Sequence, residues 1–285
     1  MSGAVTIRRF ALDDLAAAAR FGEAARALDP GIEPFAQQLR HLAAGPRSAL
    51  ELWRVAAGND GGVYGLSFAA QRDPAQRVYD YYVAVHPSMR RQGIGRALGE
   101  PALASGAVLR ARVRDDAIPG IAFLRALGFE ESGAQLFLEW SGAPIKAPLK
   151  AAARIRPASR KDQPALQALS AEAWAGAPDA FAARSEEIAQ LVSGDDRVVL
   201  VAELEDKPVG YLSAVQLGRT LAIEEVAVLP QVRRNGIARA LAARALANVQ
   251  GAVLSVADSN RPARGLYRAL GFRQTARRLV MQRPA

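Results

Sequence analysis

One stretch of sixteen residues occurs twice in this chain, and it constrains the fold more than any other sequence feature. The copies are Val83–Leu98, VAVHPSMRRQGIGRAL, and Val226–Leu241, VAVLPQVRRNGIARAL, and eleven of their sixteen positions are identical. Each copy reads as a strand that ends at a proline, a loop rich in Arg and Gly, and a helix. Because the first N–H groups of a helix have no partner within it, each copy predicts an anion-binding turn.

The repeat extends beyond these stretches, which indicates two copies of one domain. At a constant offset of 143, Pro87 maps to Pro230 and Gly128-Phe129 maps to Gly271-Phe272. Each half reads as β-α-α-β-β-β-α-β-α-β, with its second helical region around 33–44 or 184–192. The sequence therefore predicts an α/β protein with tandem domains at 1–141 and 154–285, joined by a linker at 142–153 that is rich in Pro, Gly and small residues.

Composition excludes several classes of site. The chain has no cysteine, which rules out disulfides, thiolate metal sites and a cysteine nucleophile. Its two histidines, His41 and His86, are far apart in sequence, so we predict neither a metal site nor a Ser–His triad. We find no apolar run of the roughly 18 residues that a membrane span requires, and the N-terminus lacks the apolar core of a secretory signal. We therefore expect no membrane association and a cytoplasmic protein.

The net charge of +9 indicates an anionic partner. Charge alone does not distinguish a nucleic acid from a phosphate-rich cofactor. The sequence shows no basic helix and no strand interleaved with aromatic residues, so we expect no nucleic-acid partner.

Two familiar phosphate-binding loops do not fit the repeated turn. A Walker A loop requires G-K-[ST], which is absent, and the dinucleotide fingerprint requires G-x-G-x-x-G. The spacing here is GIGRALG in the first half, which is one residue too long, and Ala238 interrupts it in the second half.

A third pattern fits well, because R-x-x-G-x-[GA] follows a V-x-V-x-P strand at Arg90–Gly95 and again at Arg233–Ala238. The segment 254–272, LSVADSNRPARGLYRALGF, adds the downstream pattern N-x-x-A-x-x-L-Y-x-x-x-G-F. The chain thereby resembles the GNAT superfamily of N-acetyltransferases, in a tandem form that covers essentially all 285 residues. The resemblance implies two GNAT-like domains, each with a mixed, mostly antiparallel sheet flanked by helices.

The resemblance also implies acetyl-CoA as cofactor, with the loop amides on its pyrophosphate and the preceding strand along its pantetheine arm. The residues implied in the first half are Val83, Ala84, Val85, Arg90, Arg91, Gln92, Gly93, Ile94, Gly95 and Arg96. Those implied in the second half are Val226, Ala227, Val228, Arg233, Arg234, Asn235, Gly236, Ile237, Ala238, Arg239 and Asn260.

For catalysis, the resemblance implies Tyr267 as the general acid that protonates the departing thiolate. It places a carboxylate base at Glu224 or Glu225, and Glu224 matches the pattern slightly better. Successive side chains of a regular strand point to opposite faces, so we expect only one of the two to be the base. Without a cysteine, direct transfer in a ternary complex is the natural mechanism.

The first half departs from this pattern at each catalytic position. Leu124 replaces the tyrosine, Ala117 replaces the asparagine, and Tyr81 and Tyr82 replace the glutamates. Pro101 falls within the helix after the first loop, where it should shorten or kink that helix. We predict that this half binds acetyl-CoA without catalysis; Tyr81 or Tyr82 as a substitute acid is the alternative.

The predicted activity is acetyl transfer from acetyl-CoA to a primary amine, with the active site in the second half. The acceptor would be a small-molecule amine or a peptide N-terminus. Its cleft would be formed by residues 170–196, with Trp174, Phe181, Glu186 and Glu187 as candidates. The alternative function is a non-catalytic module that senses acyl-CoA, and the chain would be a monomer with an internal pseudo-dimer or a homodimer.

Overall fold

The computed structural model describes residues 5–29, 50–73, 77–142, 153–175 and 196–285, together with Ile32, Leu39 and Ile145. The second helical region predicted in each half, most of the linker, and Phe181, Glu186 and Glu187 lie outside these residues. The chain forms two compact units. Unit 1 comprises residues 1–134 and 278–285, and unit 2 comprises residues 135–277.

Unit 1 contains a mixed sheet with helices on both faces. In its described part the strands are β1 (Val5–Arg9), β2 (Arg54–Gly58), β3 (Val63–Asp73), β4 (Val78–Val85) and β5 (Val108–Arg114), and residues 278–283 of β12 (Arg273–Arg283). The helices are α1 (Leu15–Leu28), α2 (Ile94–Leu103) and α3 (Ile118–Ala126). The strand order is β1-β2-β3-β4-β5-β12, and β4–β5 is the parallel pair.

Unit 2 repeats this arrangement. In its described part the strands are residues 135–140 of β6 (Glu130–Trp140), β7 (Arg154–Pro157), β8 (Arg197–Leu204), β9 (Lys207–Leu217), β10 (Thr220–Val228) and β11 (Gly251–Ala257). The helices are α4 (Gln163–Trp174), α5 (Ile237–Leu246) and α6 (Arg261–Ala269). The strand order is β6-β11-β10-β9-β8-β7, and β10–β11 is the parallel pair. The expected α/β class with a mostly antiparallel sheet is confirmed.

The last strand of each half contributes to the unit built mainly from the other half. Leu138 of β6 pairs with Leu254 in unit 2, and Met281 of β12 pairs with Ala111 in unit 1. This exchange differs from the predicted division, in which each last strand closed its own half. The two strands occupy equivalent places in the repeat, so the order of the elements along the sequence does not specify which sheet each one joins.

The helix after each loop has the same length in the two units. Both α2 and α5 span ten residues, although α2 contains Pro101. The prediction that Pro101 shortens this helix is wrong. Pro101 removes only the hydrogen bond of its own nitrogen, and the helix continues past it, since the Ala104 N–H still donates to the Glu100 carbonyl at 2.9 Å. No helix in the described ranges has the length and apolar character needed to cross a membrane.

Candidate functional site

The turn between β10 and α5 leaves backbone N–H groups at the helix start without helical partners. Gly236 is the N-cap, with φ of +81°, and it has no side chain to cap the helix. Arg234 also has a positive φ, of 70°. The first N–H to donate within this helix is that of Ala240, which bonds the carbonyl oxygen of Gly236 at 2.9 Å. This geometry and the helix dipole favour an anion at the turn.

Unit 1 has the same turn at the start of α2. Arg91 and Gly93 have φ of 65° and 78°, and the Ala97 N–H donates to the Gly93 carbonyl at 3.1 Å. Gly95, however, has a packing role. A Cβ there would lie 3.0 Å from Cζ of Phe123, so the glycine makes room for this ring as well as for a ligand.

The first arginine of each loop is engaged in holding the loop. Arg233 Nε donates to the Val228 carbonyl at 3.0 Å, and Arg233 Nη2 donates to the Ala173 carbonyl at the end of α4 at 2.8 Å. Arg90 likewise donates from Nε to the Val85 carbonyl at 3.1 Å. These guanidinium groups fix the turn against the strand end, so they are less available to a ligand than the sequence analysis expected.

A gap opens between the parallel strands of each unit just before the turn. In unit 2 the β10–β11 pairing runs from Thr220↔Gly251 to Ile223↔Leu254, which leaves residues 224–228 of β10 with an open edge toward β11. In unit 1 the β4–β5 pairing ends at Asp80, the residue equivalent to Ile223, which pairs with Arg110. An extended ligand can add to such an open strand edge through backbone hydrogen bonds.

A β-bulge at the mouth of the unit 2 gap sets the direction of the two glutamates. Ile223 pairs with Ala214 and Glu225 pairs with Ser213, so Glu224 is the extra residue. Glu224 forms an ion pair with Arg197, and Glu225 bonds α4. The expectation that these two side chains lie on opposite faces is wrong, because the extra residue of a bulge interrupts the alternation. Both carboxylates contact residues on the α4 side of the sheet.

Glu225 lies in a polar cluster beneath α4. Its Oε1 accepts hydrogen bonds from Trp174 Nε1 and, at 3.4 Å, from Ser170 Oγ. The fully buried ring of Tyr211 lies beside it, and burial, then the charge of Glu225, raises the pKa of the Tyr211 hydroxyl. Glu224, in contrast, has 44% of its side chain exposed.

Tyr267 and Asn260 lie on α6. Tyr267 is 7% exposed, its ring centroid lies 5.5 Å from that of Phe272, and burial raises its pKa to about 12. The hydroxyl therefore keeps its proton throughout the ordinary pH range. Asn260 is the N-cap of α6, and its Oδ1 accepts from the Ala263 N–H at 3.1 Å. That contact gives Asn260 a structural role that the sequence analysis did not assign.

The counterparts in unit 1 form a packed interior. Tyr81 is 4% exposed, its ring stacks on Phe129 at 5.7 Å, and its hydroxyl lies beneath Gly99. Tyr82 points to the other face and stacks on Phe68 at 5.0 Å. At this position β4 has no bulge, because Tyr81 pairs with Ala69 and the next residue, Tyr82, pairs with Phe68, the next residue along β3. Leu124, at the position of the acid, is also buried.

Arg197 and Tyr211, which lie beside the two glutamates, were not predicted from the sequence, and Ser170 was included only as part of the range 170–196. Their positions depend on the bulge and on the placement of α4 over the sheet, and neither leaves a local sequence motif. Trp174 was predicted for the acceptor cleft, and it bonds Glu225.

Each unit thus has a parallel strand pair that separates beside a helix start that no side chain caps. The Acetyltransferase (GNAT) family model matches residues 164–272, and an Acetyltransferase (GNAT) domain model matches residues 51–131. Together the two matches span more than half of the chain, which belongs to the GNAT acetyltransferase family.

Several known proteins are similar over nearly the whole chain. A mycothiol acetyltransferase of Clavibacter michiganensis subsp. michiganensis is 28% identical over an alignment 274 residues long, which covers 90% of this chain and 87% of the relative. A GCN5-related N-acetyltransferase of Sphaerobacter thermophilus has a TM-score of 0.73 at 20% identity, covering 98% of this chain and 95% of that one. A tandem GNAT protein from the clavulanic acid biosynthesis pathway has a TM-score of 0.69 at 18% identity, covering 98% of both chains.

Proposed function

We propose that this chain transfers the acetyl group of acetyl-CoA to a primary amine, and that unit 2 carries the active site. The single observation that supports this most is the strand gap of unit 2, which has the exposed carboxylate of Glu224 at its mouth and an anion-binding turn at its end. Tyr267 is buried in the same hydrophobic core as Val228 of that strand. Acetyl-CoA has the matching parts, namely a pyrophosphate, an extended arm with amide groups, and a thioester at its tip.

The residues that would bind this cofactor are 226–228 of β10 and 234–239 at the start of α5. The open edge at 226–228 pairs with the amides of the pantetheine arm, and the N–H groups of 234–238 bind the pyrophosphate. Arg234 and Arg239 supply positive charge there. Arg233 acts indirectly, since its side chain holds the turn against β10 and α4.

In the transfer step, Glu224 takes a proton from the acceptor ammonium, which frees the nitrogen lone pair to attack the thioester carbonyl. The carbon–nitrogen bond forms and the carbon–sulfur bond breaks. Tyr267 then gives its proton to the departing thiolate, and its high pKa keeps this proton in place until then. The new amide nitrogen releases its remaining surplus proton to solvent, from which the Tyr267 phenolate is reprotonated after the transfer. Glu224 is the better base because it is exposed at the bulge.

Unit 1 would bind acetyl-CoA without turning it over. Its turn and strand gap match those of unit 2, but the buried rings of Tyr81 and Phe129 and the side chain of Leu124 take the place of acid and base. Tyr81 as a substitute acid is disfavoured because its hydroxyl lies beneath Gly99 of α2.

The acceptor remains a small-molecule amine or a peptide N-terminus. The tandem architecture is similar to that of mycothiol synthase, and the Clavibacter relative is named a mycothiol acetyltransferase. This likeness alone transfers no substrate.

Thiol release from acetyl-CoA in the presence of a panel of amines tests the proposal. The panel should include amino sugars, polyamines, amino-thiol glycosides and short peptides. We expect turnover of at least one amine by the wild type, and a loss of about a hundredfold or more in kcat for Tyr267→Phe. Turnover of no amine, with acetyl-CoA bound, would favour the alternative of a non-catalytic acyl-CoA sensor.

A further inference from the structure

Glu225 makes contacts that differ from those of a catalytic base. Its Oε1 accepts from both Trp174 Nε1 and Ser170 Oγ, and its side chain is half-buried next to Tyr211. A base needs an accessible lone pair at the reacting amine. A carboxylate that accepts charge-assisted hydrogen bonds from a neighbouring helix instead fixes that helix in place.

These contacts join two elements on which the site depends. Trp174 is the last residue of α4, and Ser170 lies one turn earlier on the same helix. Glu225 follows the bulge residue directly on β10. The cluster therefore holds the C-terminal end of α4 at a fixed distance from Glu224, on the face where both carboxylates lie.

Two further contacts support this reading. Arg233 Nη2 bonds the carbonyl of Ala173, so the turn that follows β10 also holds the end of α4. Arg197 pairs with Glu224 on the same side of the sheet, so the proposed base has a partner of its own.

We propose that Glu225 is a positioning residue for the acceptor, which acts by holding Trp174 and the end of α4 beside the bulge. This inference rests on the proposed function, because it assumes that the acceptor approaches Glu224 from the α4 side. Trp174 then forms a wall of the acceptor site, and the acceptor binds more tightly when the indole N–H is held by Glu225.

Steady-state kinetics with the amine that the wild type turns over fastest test this role. We expect Trp174→Phe and Glu225→Ala each to raise the KM for the amine about tenfold, the size of effect expected for one hydrogen bond to a charged group. The KM for acetyl-CoA should not change. The double variant should be no worse than the poorer single variant, because both substitutions remove the same contact.

Two variants separate positioning from catalysis and from general damage. Glu225→Gln keeps an oxygen that can accept from Trp174, so we expect its kinetic constants to stay within about threefold of wild type. Gln231→Ala removes another contact of α4, the 3.1 Å hydrogen bond from Gln231 Nε2 to Glu172, and should leave the KM for the amine unchanged. A large fall in kcat for Glu225→Gln would make Glu225 the base and overturn the proposal, as would additive effects in the double variant.

Amide hydrogen exchange of α4 provides a test that does not need turnover. Trp174→Phe and Glu225→Ala should speed exchange at the end of α4 about tenfold, while Gln231→Ala should not. Unchanged exchange in the first two variants would refute the positioning role. A wild type that turns over no amine would instead refute the proposed function, so the two failures are distinguishable.

Discussion

Replacing Arg156 by methionine should destabilise unit 2 strongly, because Arg156 neutralises two buried carboxylates. Its guanidinium donates to Asp162 at 2.9 and 2.7 Å and to Glu203 at 2.9 and 2.5 Å. Both carboxylate side chains are only 9% exposed. Arg156→Met would leave two unpaired negative charges near one another, and removing one partner from a buried ion pair costs about 3–5 kcal/mol.

The chain provides a matched control at Arg8 in unit 1. Arg8 donates two hydrogen bonds of 2.7 Å to Asp14, as Arg156 does to Asp162. Asp14 also accepts from the backbone N–H three residues earlier, that of Ala11, just as Asp162 accepts from that of Ser159. The Arg8 side chain is 45% exposed, however, so water can replace it. The Asp14 side chain is only 11% exposed, but Arg8→Met leaves one carboxylate without its arginine rather than two. We therefore expect a smaller loss, of about 1–2 kcal/mol.

Urea unfolding of both variants at neutral pH and at low pH measures the difference. Hydrogen bonds from Arg156 are the largest cause that holds the pKa of Asp162 well below its usual value of about 3.9. The folded-state pKa is thus below the unfolded value, so this stabilisation is present above about pH 4 and is lost as the pH falls further. Equal losses for Arg8→Met and Arg156→Met at neutral pH would refute the reasoning.

Three further predictions concern other buried groups. The Tyr81 hydroxyl is buried and has no hydrogen-bond partner among the described residues, so it costs stability. Tyr81→Phe should therefore raise the free energy of unfolding by about 1 kcal/mol and leave kcat unchanged, and a lower melting temperature would contradict this. Met281 is fully buried in unit 1, so Met281→Ala should lower the free energy of unfolding by about 2–5 kcal/mol and speed amide hydrogen exchange in β5. Faster hydrogen exchange confined to unit 2 would argue against the pairing of β12 with β5. Burial raises the folded-state pKa of Tyr267 to about 12, so the free energy of unfolding should fall as the pH rises above about 10. Urea unfolding of Tyr267→Phe should show a weaker fall with pH, and the same pH dependence as in the wild type would count against the burial of Tyr267.

Much of the fold could be predicted because the same strand, turn and helix pattern occurs twice in the sequence, so each copy supports the assignment of the other. The strand, turn and helix at 83–98 and 226–241 formed as expected, with Gly93 and Gly236 at the helix N-caps. These features are local, since proline, positive φ at glycine and the spacing of apolar residues each act within a few residues.

The features that sequence reasoning missed depend on contacts distant in the chain. The bulge at Glu224 follows from how β9 and β10 pair, and it interrupts the alternation from which opposite faces were expected for Glu224 and Glu225. The place of β6 and β12 in the sheets could not be read from two nearly equivalent strands. The role of Arg233 depends on the carbonyl of Ala173, which lies sixty residues away along the chain.

The central claim is that turnover depends on the unit 2 turn and not on its copy in unit 1. Gly236 and Gly93 have φ of 81° and 78°, so a valine at either position is strained and disturbs the N–H groups beside it. The decisive measurement is the rate of thiol release from acetyl-CoA, with the preferred amine, by folded Gly236→Val and Gly93→Val. We predict that Gly236→Val loses about a hundredfold or more, while Gly93→Val stays within about threefold of wild type. Loss of turnover in Gly93→Val with full activity in Gly236→Val would contradict the account.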